Sequence, residues 1–160
     1  MTFRDDPYAG RLPRLAVIGR SALDADIGVE LVAACEADPA VIAGYAQMGV
    51  DTYTPEQMDQ MLERDDIDIV AVKTPNFLHT EMTVKALDAG KHVWVEKPMG
   101  ITHEELDRII AARERSGREV QVDLELRNSA LFVRVKEIIA EFKPVTTSEK
   151  YVEFMQDLVK

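Results

Sequence analysis

This 160-residue sequence predicts an open, doubly wound α/β fold built on a mostly parallel sheet. Three observations predict it. Short, continuous apolar runs recur along the chain (RLAVIG from Arg14, VELVAAC from Val29, DIVAVKT from Asp68, HVWV from His92), as strands buried on both faces require. Segments with helical spacing alternate with those runs, which is the order of crossover units. Polar motifs end two of the runs, Thr74-Pro75-Asn76-Phe77-Leu78-His79 and Glu96-Lys97-Pro98. In open α/β sheets the C-terminal strand tips are where ligands bind.

The elements follow in order. Residues 1–13, with Pro7, Gly10 and Pro13, read as an irregular lead-in. Arg14 to Gly19 is a buried strand ending in glycine, and Val29 to Cys35 is a second strand closed by Glu36. Asp38 caps a helix with Pro39 at its first position, and Gly49 stops it. Thr52-Tyr53 is a short strand; Thr54-Pro55 opens a helix with Met58, Met61 and Leu62 on one side. Asp68 to Thr74 is a strand, and Phe77 to Ala89 a helix closed by Gly90. After the strand at His92, Thr102 and Glu105 make a capping box for a helix running to Gly117. Glu119 to Leu124 alternates in polarity, as a strand near an edge does. Ser129 begins a helix with Leu131, Val135, Ile138 and Ile139 on its buried side, and Pro144 breaks it. Residues 144–160 form a C-terminal amphipathic helix whose stripe (Tyr151, Phe154, Met155, Leu158, Val159) suits docking on the parent core. The domain proper is residues 14–143.

Composition narrows the function. Hydrophobic residues at 46% and charged residues at 30% describe a globular chain with no run long enough to span a membrane. The N-terminus lacks the apolar core of a signal peptide, and the single cysteine, Cys35, has no partner for an internal disulfide, so a cytoplasmic setting is expected. Cys35 lies within an apolar strand and reads as a buried, inert thiol. A formal charge of −10 disfavours nucleic acid and anionic membranes. No metal site is expected.

The first strand-turn-helix unit of such a fold usually cradles a pyrophosphate with a G-x-G-x-x-G turn. Here only the first glycine, Gly19, stands. Nine residues separate Gly19 from Val29, fewer than the dozen or so a helical crossover takes. The expectation is a crossover that has lost its helix, with Asp24 and Asp26 adding negative charge and Arg20 a single compensating cation. Glu36, at the tip of the second strand, stands where a carboxylate holds the adenosine ribose and repels a 2′-phosphate, favouring NAD over NADP. Lys97, beside a carboxylate and stiffened by Pro98, is a proton donor or cofactor-ring contact.

Taken together, RLAVIG, LVAACEADP, TPNFLH and GKHVWVEKPMG resemble the N-terminal domain of the glucose–fructose oxidoreductase / inositol dehydrogenase / rhizopine-catabolism (Gfo/Idh/MocA) family, from about Arg14 to Ile139. That resemblance implies a Rossmann-like domain of an NAD(P)-dependent oxidoreductase moving hydride to or from sugars, polyols or related hydroxyl compounds. It implies that Lys97 contacts nicotinamide and substrate and assists proton transfer, and that Glu96 meets the cofactor ribose. It further implies that Thr74, Pro75, Asn76 and His79 line the nicotinamide half, and that Glu36 is the adenosine-ribose acid. The chain departs from the family pattern in its glycine fingerprint and in stopping where a second, substrate-binding domain is expected. Three readings follow: an oxidoreductase domain that relies on another portion for its substrate cleft, a non-catalytic remnant, or an interaction module whose exposed sheet face meets an oligomeric or partner chain. For this polypeptide alone, incomplete catalysis is the expectation.

Overall fold

The computed structural model describes residue 8 and residues 10–20, 28–124 and 129–141. The shortened crossover expected at 21–27, most of the lead-in and the C-terminal helix of 144–160 lie outside the described residues. The chain divides into two compact units, Met1–Asp123 and Leu124–Lys160.

The first unit is a six-stranded sheet. Its strands are β1 (Arg14–Gly19), β2 (Glu30–Cys35), β3 (Asp51–Tyr53), β4 (Ile69–Lys73), β5 (His92–Glu96) and β6 (Val120–Asp123). They lie in the order β3-β2-β1-β4-β5-β6, all pairs parallel. That is the doubly wound Rossmann order, whose switch point falls between β1 and β4. The polarity alternation in 119–124 is explained by the place of β6 at the sheet edge. Between Leu15 and Ala16 the β1–β2 register slips, a local irregularity that no sequence pattern announces.

Alternate residues of each strand feed opposite cores, so the central strands are apolar along their middles, with charges only at their ends. Ala16, Ile18, Val70 and Val72 pack with Met61, Leu62, Leu87 and Ile109 beneath α2 (Met58–Leu62), α3 (His79–Asp88) and α4 (His103–Ser116). Leu15, Val17 and Ala71 form a separate cluster with Ile69 and Trp94, while Ala34 packs against Tyr45 and Val50 under α1 (Pro39–Gln47).

Local chemistry fixes the helix ends as expected. The Asp38 carboxylate accepts the Ala40 N–H at 2.8 Å, with Pro39 at the first helical position. Thr102 and Glu105 cap α4 reciprocally, and Gly117 closes it in the left-handed conformation at φ 66°. The segments after Thr54 and Pro75 each enter through a single 3₁₀ turn, Pro55–Gln57 and Asn76–Leu78, before α2 and α3 begin.

The second unit contains α5 (Ala130–Glu141). Of the stripe expected on its buried side, Leu131 is 69% exposed, Val135 40% and Ile138 49%, while Ile139 is half-buried. Helical spacing determines which side chains share a face, not whether anything covers that face.

Candidate functional site

The C-terminal tips of β1, β2 and β4 open into a cleft of about 540 Å³. Its lining includes the charged Arg20, Glu36, Lys73, Glu81 and Lys85, the polar Thr74, and Gly19, Pro75, Ile18, Met58, Leu78 and Met82. Four of the residues singled out in the sequence (Gly19, Glu36, Thr74 and Pro75) therefore line one cavity.

Gly19 lets this happen. It has φ +99°, and a Cβ there would lie 2.4 Å from the Lys73 carbonyl oxygen. Only glycine allows β1 to end so close to β4 while the chain turns away. The Tyr45 hydroxyl donates to the Gly19 carbonyl at 3.3 Å, tying α1 to the same tip. At the end of β2, one Glu36 oxygen accepts the Ala37 and Asp38 N–H groups at 2.6 and 3.2 Å. The carboxylate is thus held by its own turn at the cleft wall. Next to it Cys35 is buried, its Sγ 3.3 Å from the Thr54 carbonyl oxygen. Burial and the neighbouring Glu36 push the thiol up to about 11, so it stays protonated and unreactive.

The two sequence motifs meet through His79. Its ring is fully buried, with Nδ1 2.7 Å from the Pro98 carbonyl oxygen and Nε2 2.7 Å from that of Thr74. Carbonyls only accept, so both contacts are hydrogen bonds together only when both ring nitrogens carry protons. His79 thereby ties the 74–79 loop to the Glu96-Lys97-Pro98 turn, whose Lys97–Pro98 peptide is cis. Its ring lines no part of the cleft; it is the brace behind it. Thr74, in the cleft wall, has a buried Oγ1 with no hydrogen-bond partner among the described residues.

Lys97 is the exposed group of the second motif. Its Nζ lies 3.5 Å from Glu96 Oε1, and its backbone N–H donates to the same oxygen at 3.2 Å. The other Glu96 oxygen accepts from Lys73 Nζ at 3.1 Å. Burial opposes ionisation of Glu96, but the Lys73 hydrogen bond and charge prevail and hold its carboxyl below the ordinary glutamate value. Lys73 also bonds Asp123 at the tip of β6 and lies 4.3 Å from the centroid of the Trp94 ring. Burial works to lower the Lys73 pKa, yet its two carboxylate partners raise it overall.

Lys73 and Asp123 escaped the sequence reading. The signal was present in Lys73, a charged last residue on the otherwise apolar run IVAVK, directly before the Thr-Pro-Asn motif. Nothing in the sequence pairs Asp123 with it, because that contact spans fifty residues and depends on strand order.

This arrangement places a nucleotide-sized cleft at the switch point and a lysine–carboxylate pair at the tip of the next strand, β5, joined by a buried histidine. Comparison with known proteins decides the family. The model of the oxidoreductase family with an NAD-binding Rossmann fold matches residues 14–124. The chain belongs to the Gfo/Idh/MocA family. Inositol 2-dehydrogenase of Salmonella typhimurium is 34% identical over 118 residues, which is 70% of this chain and 34% of the relative. The aldose-aldose oxidoreductase of Caulobacter crescentus superposes with a TM-score of 0.73 at 28% identity, covering 82% of this chain and 43% of that one. KijD10, a 3-ketoreductase of Actinomadura kijaniata whose structure holds NADP, gives 0.72 at 25% identity over 82% of this chain and 44% of its own. This Gfo/Idh/MocA chain thus spans about a third of the length of the first of these relatives and under half of the two solved structures. No described helix is long and apolar enough to cross a membrane.

Proposed function

We propose that this chain is the nucleotide-holding portion of a sugar or polyol oxidoreductase, with NAD preferred to NADP and Lys97 serving proton transfer. The observation that carries the reading is the His79 brace, which brings the Thr74 loop and the Lys97 turn to one end of the sheet. The residues present fit a dinucleotide. Thr74 offers a buried hydroxyl with no partner among the described residues, and Gly19 removes the side chain that would close the β1 tip. Glu36 places a carboxylate at the cleft wall, where it accepts ribose hydroxyls and opposes a 2′-phosphate. Arg20, on the same wall, provides positive charge for phosphates.

When bound, a nicotinamide ring supplies the hydride acceptor or donor. On this reading Lys97 Nζ, as the neutral amine, takes the proton of the substrate hydroxyl as the carbon is oxidised, and the resulting ammonium returns it on reduction. Glu96 Oε1 orients Lys97 Nζ, and Thr74 and Pro75 line the neighbouring cleft. Among the described residues no histidine is free to share the acid/base work beside Lys97. Both nitrogens of His79 are engaged; His92 starts β5, at the far end of that strand from Lys97; His103 opens α4. On this reading the described residues hold the nucleotide, and a substrate cleft and a second acid/base group are supplied by other parts. A cytoplasmic setting, in which the single thiol stays reduced, suits this reading.

One observation favours a binding-module reading instead. The exposed apolar side chains of α5, Leu131, Val135 and Ile138, are the sort of surface another chain covers. A thermal-shift titration separates the two. At a hundred times its Kd, NAD adds about 2.7 kcal/mol to stability and raises Tm by several degrees. No shift with millimolar NAD or NADP removes the nucleotide reading and leaves the binding module.

A further inference from the structure

The strand tips hold a second lysine that the proton-transfer reading does not use. Lys73 is the last residue of β4, and its side chain is only 12% exposed. Glu96 and Asp123 are register partners at the ends of β5 and β6, two carboxylates side by side at 25% and 16% exposure. Like charges in that position repel each other. Lys73 Nζ sits between them, and the Trp94 ring lies 4.3 Å from it. An ammonium has three donors in rotatable positions; here two go to carboxylates, and the ring face attracts the remaining positive charge. Lys73 is therefore fixed in place on three sides, unlike a solvated surface lysine.

The consequence falls on Glu96. Its Oε2 is committed to Lys73, and only Oε1 faces Lys97. Resting on the nicotinamide reading above, we propose that Lys73 is a positioning residue: its ammonium pins Glu96 toward Asp123, so that Glu96 steadies Lys97 with one oxygen and does not clasp it with two. The charge count agrees. Lys73 and Lys97 balance Glu96 and Asp123; without Lys73, two carboxylates compete for one ammonium, and Glu96 turns both oxygens to Lys97, drawing it down from the cleft end of the sheet. Lys97 from its own turn, Lys73 from β4 and Asp123 from β6 are the charged groups that face Glu96 among the described residues.

The test is a ¹³C NMR titration of the Glu96 carboxyl in the nucleotide-free full chain, compared among wild type, Lys73→Met and Lys73→Arg. Lys73→Met is expected to raise the Glu96 midpoint by about one pH unit, and Lys73→Arg to restore the wild-type midpoint. The acid limb of the NADH-affinity pH profile should move upward with it, a change that a merely structural lysine would not produce. A Glu96 midpoint unmoved by Lys73→Met, or moved as far by Lys73→Arg, overturns the assignment. Should Lys73→Met not fold, Asp123→Asn decides the matter by removing the like charge and leaving Lys73 to Glu96 alone. The midpoint then falls, and an unchanged midpoint overturns the proposal. Failure of wild type to bind NADH would remove the nicotinamide reading, while the nucleotide-free titration would still decide the role of Lys73.

Discussion

The two ends of the sheet are built from the same residue types to opposite purposes. At the N-terminal ends of the strands nearly every charge is matched. Arg11 grips Asp68 with two bonds of 2.6 and 2.8 Å, and the Arg14 N–H donates to the same carboxylate at 2.8 Å. Arg64 joins Asp66 and Asp51, Arg14 reaches Asp66 as well, and the buried Lys91 donates to the Arg64 carbonyl. At the C-terminal tips the matching is partial by comparison. Glu36 turns to its own loop, Lys97 is 57% exposed beside a single glutamate oxygen, and the Thr74 hydroxyl has no described partner. The lesson is that one end closes on itself and fixes the strands, while the other keeps polar groups in reserve around a cleft. This is how doubly wound sheets divide stability from ligand binding.

The contrast breaks first at Gly19. Gly19→Ala puts a Cβ against the Lys73 carbonyl at a left-handed φ, and should cost roughly 3 kcal/mol in urea unfolding together with any nucleotide affinity. Unchanged stability would mean the β1 tip is not as tightly placed as described. At the opposite end, Asp68→Ala removes the acceptor of Arg11 and of the Arg14 amide. A loss of about 1.5 kcal/mol is expected, with NAD affinity kept. If nucleotide binding falls with it, the two ends are not separate in purpose.

Acid sharpens the same contrast. The Arg64 hydrogen bond holds the Asp66 carboxyl low against burial, and the Arg11 bond does the same for Asp68. Depressed carboxyl values mean stability that is present above the unfolded value and lost as pH falls through the folded one. Unfolding free energy should therefore be flat near neutrality and decline below about pH 4. The Asp68→Ala chain should lose part of that decline, which denaturant melts at stepped pH will show. The smallest effect is expected at Glu36. Glu36→Gln should leave the fold intact and raise NADP affinity relative to NAD by about tenfold, read by calorimetry with both nucleotides. An unaltered ratio would remove Glu36 from cofactor choice.

Much of this was legible in the residues. The apolar runs located the strands, and Asp38-Pro39 and the Thr102/Glu105 pair marked helix starts that the structure places within a residue. The Thr74 and Glu96 motifs ended the strands they were read as ending. What the sequence could not carry were relations between elements. His79 reads as one more member of a loop until the fold shows its ring between two carbonyls. Lys73 gains its meaning only when strand order sets β5 and β6 beside it. The α5 stripe erred for a related reason: periodicity groups Leu131, Val135 and Ile138 on one face but is silent on what lies against them.

The most direct measurement is backbone amide NMR on the full chain during an NAD titration. Shifts are expected at Gly19, at Glu36 to Asp38, at Thr74 and Asn76, and at Lys97, with Arg14, Asp68 and Lys91 unmoved. Saturating NAD and NADP that leave those tip amides unchanged, or that move the Asp68 end instead, would contradict this expectation.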